Sequence, residues 1–260
     1  MLNHSGGSGQ DNQLNGLAVV DWLNAWAVGE RGTILSFDRL PPETTFAPST
    51  GWLKTPLVTL TATDGKSGVN KIRWIVDPPG INGDVHPPIG DWDSWAWQYG
   101  TTATFVASAV GDAPGTRHVI YYQSLDTVGN IELDPFWQKQ GPEFDNEVPK
   151  HMWVTVDTIG PQTYAPWPVS VARNARPAFD FWVNDDLSNK AKVSIVIKDQ
   201  SNKTVKTLSL GWLATGQQFS APISSWKCTL AKGAYTFSVL AQDQAGNKQA
   251  VLGGNTFTVR

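Results

Sequence analysis

His118-Val119-Ile120-Tyr121-Tyr122-Gln123-Ser124-Leu125-Asp126-Thr127-Val128-Gly129-Asn130 reads as one β-strand running into a tight corner. The β-branched and aromatic residues favour an extended, pleated backbone, and Asp, Gly and Asn favour the turn that follows. Upstream, Val58-Thr59-Leu60-Thr61-Ala62-Thr63 alternates apolar and hydroxyl side chains, the period of a strand with one buried face. A turn at Asp64-Gly65-Lys66-Ser67-Gly68 separates it from the apolar run Ile72-Arg73-Trp74-Ile75-Val76.

The same plan recurs in the second half. Asp185-x-x-Ser188 matches Asp64-x-x-Ser67, and Asp243-x-x-Gly246-Asn247 matches Asp126-x-x-Gly129-Asn130 at a spacing of 117 residues (243 minus 126). Phe179, Phe181 and Val183 alternate with Asp180 and Trp182. Val193, Ile195 and Ile197, then Tyr235, Phe237, Val239 and Ala241, and finally Phe257 and Val259 continue the period of two. No stretch sustains a period of 3.6. Among 260 residues there are 24 Gly, 17 Pro, 13 Trp and only five Glu (Glu30, Glu43, Glu132, Glu143, Glu147), a balance that favours strands and turns over helices. The expected fold is all-β, with two tandem antiparallel sandwiches divided at Asp157-Thr158-Ile159-Gly160-Pro161. Trp74 and Tyr235, each inside an apolar strand, are the expected core anchors.

Composition also narrows the function. A net charge of -3, with 20 Lys plus Arg against 23 Asp plus Glu, gives no basic surplus for a nucleic-acid backbone. The single cysteine, Cys228, precludes an intrachain disulfide and a multi-cysteine metal site, and reads as an inert thiol. The run Leu17 to Val28 is interrupted by Asp21 and Asn24 and is too short for a membrane span. Residues 1–16 are polar, without the basic start and apolar centre of a secretory signal, and read as a flexible segment.

Three stretches resemble known families. Residues 42–157 resemble the bacterial surface Ig-like module of the OmpL47 type, through Gly51-Trp52, Val58 to Asp64 with Ser67-Gly68-Val69, Trp97-x-Tyr99, and His118 to Asn130. Residues 162–260 resemble the FlgD-type Ig-like module, through Val193 to Asp199, Val205-x-x-Leu208, Gly233 to Phe237 and Ala241 to Asn247. Only Trp226, followed by Lys227-Cys228, stands for that family's Trp-Asp-Gly element. Asn24-Ala25-Trp26-Ala27-Val28-Gly29-Glu30-Arg31-Gly32-Thr33-Ile34-Leu35 resembles one blade of a β-propeller repeat, which implies a short blade-like hairpin over 17–41. These resemblances imply a secreted or cell-surface protein, here processed or the C-terminal part of a longer one.

Two groups of residues are candidate sites. Asp64, Asp126 and Asn130, with Asp185, Asp243 and Asn247 in the second copy, offer hard oxygen ligands that suit calcium, or serve as hairpin corners. Asp91-Trp92-Asp93-Ser94-Trp95 places indole rings beside carboxylates, a platform for sugar rings, so Trp92, Trp95, Asp91 and Asp93 are the expected ligand contacts. Trp97 and Tyr99, in the Trp-x-Tyr element, are expected in the core. Catalysis finds no support: the histidines His4, His86, His118 and His151 show no zinc-like spacing, and no nucleophile elbow or phosphate loop is present. His118 reads as structural. No cofactor is expected beyond the calcium option. The expected function is a non-catalytic surface module, a spacer, adhesin or arm contacting polysaccharide or another protein. The alternative is the accessory tail of a secreted glycosidase or protease.

Overall fold

The computed structural model describes residues 14–21, 24–30, 34–36, 38–78, 95–107, 115–133, 149–220 and 225–260. Every regular element among them longer than a single turn is a strand, and no helix is long and apolar enough to cross a membrane. By compactness the chain divides into two units, with the main boundary between Val154 and Thr155.

Strands β1 (Leu14–Asp21), β2 (Asn24–Gly29) and β3 (Ile34–Ser36) form a three-stranded antiparallel meander. The sequence anticipates a hairpin starting at residue 17. The first strand begins earlier because Leu14 and Gly16 find partners in Gly29 and Val28 across an irregular register. Leu17 and Val19 lie on one face with Ala27 and Leu35, and Trp26, Val28 and Ile34 on the other. Leu17, Val19, Trp26, Val28 and Ile34 are all exposed, so both faces of the meander present apolar side chains.

Eight strands follow: β4 (Glu43–Ala47), β5 (Trp52–Leu53), β6 (Leu57–Thr63), β7 (Val69–Val76), β8 (Ala96–Tyr99), β9 (Thr102–Val106), β10 (Arg117–Asp126) and β11 (Lys150–Val156). Eight more complete the chain: β12 (Gln162–Tyr164), β13 (Val169–Val171), β14 (Phe181–Asn184), β15 (Lys190–Lys198), β16 (Thr204–Ala214), β17 (Gln217–Phe219), β18 (Gly233–Gln242) and β19 (Gly253–Val259). The sheets of the two sets match strand for strand. Order β4-β6-β9 corresponds to β12-β14-β17, and β5-β11-β10-β7-β8 corresponds to β13-β19-β18-β15-β16. Segment 157–161 carries no strand, in keeping with the proline and glycine there.

One expectation needs correcting. The large sheets are mixed rather than purely antiparallel, because β5 pairs parallel with β11 and β13 pairs parallel with β19. Prolines interrupt the opening segment of each set, Pro48 between β4 and β5 and Pro166 and Pro168 between β12 and β13. Without an N–H these residues cannot continue a ladder. The segment therefore contributes one piece to the small sheet and a second piece alongside the last strand of the large sheet.

In the second unit both sheets share one core. Phe181 and Val183 of the small sheet meet Val193, Ile195, Ile197, Phe237, Val239 and Phe257 of the large one. Phe179 stacks on Phe257 with centroids 5.8 Å apart and meets Phe237 edge-on at 5.1 Å. In the first set Phe46 meets Tyr122, and Trp74 stacks on Phe105 at 4.7 Å. Strand β10 is buried on both faces. Ile120 and Tyr122 face inward, whereas Val119 and Tyr121 are covered outside by Trp95, Ile75 and Trp153. Neither expected anchor is fully buried. Trp74 remains half-buried beside Phe105, and Tyr235 lies at the core's margin with its hydroxyl donating to the Ala231 carbonyl. Phe257, wholly buried, is the true anchor of the second unit. Phe257→Ala will cost about 3–5 kcal/mol in urea unfolding, and Tyr235→Ala will cost less.

Candidate functional site

Each repeat is entered through an aspartate five residues before its first strand, Asp38 before Glu43 and Asp157 before Gln162. A buried proline, Pro42 or Pro161, directly precedes that strand. Both aspartates are buried, and each caps its own turn: Asp38 Oδ1 accepts from Leu40 N at 3.0 Å and Asp157 Oδ1 from Ile159 N at 3.1 Å.

The Asp-x-x-Gly-Asn corners hold these lead-in segments in place. Asp126 Oδ1 accepts from Val128 N and Asn130 N, and its Oδ2 from Asn130 Nδ2 at 2.6 Å. Asp243 likewise accepts from Asn247 N at 2.7 Å and Asn247 Nδ2 at 2.8 Å. The same amides reach the lead-in backbone, Asn130 Nδ2 to Asp38 O at 3.1 Å and Asn247 Nδ2 to Asp157 O at 2.7 Å. Gly129 and Gly246 turn the corner at φ of 95° and 91°, values that a side chain would strain. A Cβ at Gly160 would collide with the Lys248 carbonyl, so the lead-in backbone packs directly on the corner.

The third aspartate of each set stands nearby. Asp64 Oδ1 accepts from Lys66 N and Gly68 N, and Asp185 Oδ1 accepts from Leu187 N and Ser188 N. The serine of the same turn closes onto the lead-in residue, Ser67 N donating to Asp38 Oδ2 at 2.9 Å and Ser188 Oγ to Asp157 Oδ2 at 3.0 Å. One carboxylate oxygen from each of Asp38, Asp64 and Asp126 lies within 4.8 Å of the others, and Asp157, Asp185 and Asp186 are grouped in the same way. Asp186 has no acidic counterpart in the first repeat, where Gly65 stands.

These carboxylates repel one another in a poorly solvated place. Burial pushes the Asp157 carboxyl above its ordinary value, against the hydrogen bonds from Ile159 and Ser188, and the charges of Asp243 and Asp185 push the same way. Burial likewise raises Asp185, opposed by the Ser188 and Leu187 amides and reinforced by Asp243 and Asp186.

Of the residues singled out in the sequence, Asp64 and Asp126 come together, and Asp185 lies within reach of the Asp243 charge. The amides of Asn130 and Asn247 are engaged as donors to Asp126, Asp243 and the lead-in carbonyls. Sequence reading missed Asp38, Asp157 and Asp186. The signal for the first two was the shared Asp-x-x-x-Pro spacing at 38–42 and 157–161.

Trp95, Trp97 and Tyr99 are placed differently from expectation. Trp92, Asp91 and Asp93 lie outside the described residues. Trp95 is only 8 % exposed, in the outer cluster on β10, which removes it as a surface contact. Trp97 and Tyr99, assigned to the core, are 53 % and 64 % exposed on the edge strand β8. Their rings meet edge-on at 4.7 Å, and Lys71 Nζ lies 5.7 Å from the Trp97 ring centroid. The reason is local. Trp95 precedes the strand at a bend, so it does not share the alternation of residues 96–99.

Other polar groups are structural. Buried Glu132 accepts from Thr44 N and Oγ1 and from Ser124 Oγ, and pairs with Lys150 Nζ at 2.6 Å. Buried His118 meets Asp77 through Nδ1 at 2.6 Å, and Cys228 is a buried free thiol. No family model matches the chain, and no curated protein matches it.

Two outcomes follow from the corners. Asn247→Ala leaves the Asp157 carbonyl and Asp243 short of a donor, and will cost about 1–3 kcal/mol in denaturant unfolding. Folding raises the Asp157 and Asp185 carboxyls, so the folded state holds their protons more tightly. Their contribution is fully present below the unfolded carboxylate range and is lost as pH rises through the raised values. With chelator present, the urea midpoint of the wild type will therefore fall more steeply, as pH rises from the ordinary carboxylate range, than that of an Asp157→Asn, Asp185→Asn variant.

Proposed function

We propose that the chain is a non-catalytic module of the cell surface or extracellular space, two Ig-like β-sandwiches in tandem that act as a spacer with a contact face. The observation that carries this reading is the repetition of the same lead-in aspartate and Asp-x-x-Gly-Asn corner in two sheet sets of identical order. The carboxylates of these turns fix the corners and the start of each repeat. A spacer needs such positions fixed, because its use lies in delivering a surface at a set place.

The contact face that the geometry favours is the edge strand β8, with Trp97, Tyr99 and Lys71. Two exposed rings and an ammonium combine apolar sugar faces with a donor for hydroxyls or acids. The purified chain will bind a surface polysaccharide on a glycan array, and Trp97→Ala with Tyr99→Ala will weaken that binding at least about tenfold, about 1.4 kcal/mol. Turnover of a polysaccharide or peptide substrate by the purified chain would overturn the non-catalytic reading.

The accessory-tail reading draws on a different feature. A sheet with apolar side chains exposed on both faces, like β1-β2-β3, is built to lie between other layers. A coding sequence for a glycosidase or protease directly upstream of residue 1 would favour that reading over a free-standing surface module.

A further inference from the structure

We propose that each repeat binds one hard divalent cation, calcium by its ligand set, in the carboxylate cluster where lead-in segment and turns meet: Asp38, Asp64 and Asp126 in the first, Asp157, Asp185 and Asp186 in the second. Grouped acidic side chains alone would not carry this. The second observation is where the unsatisfied atoms lie. Among the described residues, five side-chain polar atoms are shut off from solvent without a hydrogen-bond partner, and four of them belong to the turns that build these two places. They are Asp64 Oδ2 and Ser67 Oγ in the first repeat, and Asp185 Oδ2 and Gln244 Oε1 in the second. Gln244 follows Asp243 in the corner, and its backbone N–H donates to Ser188 Oγ, which itself donates to Asp157 Oδ2.

A carboxylate oxygen shut off from solvent without a partner, on a residue grouped with two more carboxylates within 4.8 Å, is a costly arrangement. That the same oxygen of the corresponding residue is orphaned in both repeats makes it part of the architecture. A cation resolves all of it at once: it partners the orphaned oxygen, neutralises the cluster and uses the lone pairs left on neighbouring carboxylates. Asp38 and Asp157 each accept one hydrogen bond per oxygen, which leaves acceptor capacity for a further partner.

The chemistry of the ligands selects the ion. All are oxygens, carboxylate with a hydroxyl or amide oxygen beside them, and neither cluster includes imidazole or thiolate, so a hard cation is favoured over zinc or copper. The carboxylates come from three separate segments in the first cluster and two in the second, which suits the adaptable six- to eight-fold shell of calcium, completed by water, better than the strict octahedron of magnesium. Asp186 is exposed and gives the second site an open side.

The test uses the full chain after chelator treatment. Calorimetric titration with calcium chloride will show one ion taken up per cluster, in the roughly 10⁻⁴–10⁻³ M range of extracellular modules or tighter. Asp64→Asn will remove uptake at the first site only, Asp185→Asn at the second only, and the double variant will take up none. Calcium at about 1 mM will raise the thermal midpoint of the wild type by roughly 5 °C over chelator, magnesium less, and the double variant will not respond. The wild-type measurement stands alone should a variant fail to fold. No calcium uptake by the wild type, uptake undiminished in the folded double variant, or a midpoint that responds to acid in chelator but not to calcium would each overturn the proposal. The last of these would mean that protons, not metal, relieve the clusters.

Discussion

Everything in this chain hangs on buried aspartates that must find donors. A dehydrated carboxylate cannot be left bare, and in each repeat the donors are backbone amides of its own turn together with one asparagine side chain four residues on. That asparagine has an amide proton to spare, and it is used on the carbonyl of the lead-in segment about 90 residues earlier. A local turn thus fixes a distant stretch of backbone. The lead-in to the first strand of each repeat is held by that anchorage.

The two repeats share this skeleton but differ in how they are clothed. From Phe237 onward strand β18 alternates buried and partly buried positions, as a sheet with one core face should. Strand β10 is buried almost throughout, because Trp95 and Trp153 close over its second face. Arg117 lies over the Trp153 ring at 4.3 Å and Arg73 over Trp95 at 5.9 Å, so cationic stems roof the aromatic layer. The first repeat is therefore three layers deep along β10, where the second is two.

The strands were legible because their alternation is long and undisturbed. Val193, Ile195 and Ile197, like Phe237, Val239 and Ala241, are all buried, as a period of two requires. The corners were legible too, since Asp-x-x-Gly-Asn states its own turn chemistry. Alternation failed at Trp95, where the residue belongs to a bend and takes its direction from the outer surface of β10. It failed at Tyr235, whose hydroxyl keeps it at the edge of the core. Asp38 escaped notice because its partners, Ser67 and Asn130, are 29 and 92 positions away, and its spacing to Pro42 marks a recurring lead-in without naming those partners. The parallel edges were hidden for the same reason: only tertiary structure shows that a proline-broken segment ends beside the last strand.

That parallel edge has a mechanical meaning. In the second repeat β13 runs alongside β19 with Val169, Ser170 and Val171 in register with Phe257, Thr258 and Val259. A pull that reaches β13 from its N-terminal end and β19 from its C-terminal end draws the two strands lengthwise past each other. All the bonds between them then bear load together, rather than parting one after another as in a hairpin peeled from its tip. A repeat clasped in this way resists extension until the whole clasp slips, and then yields abruptly.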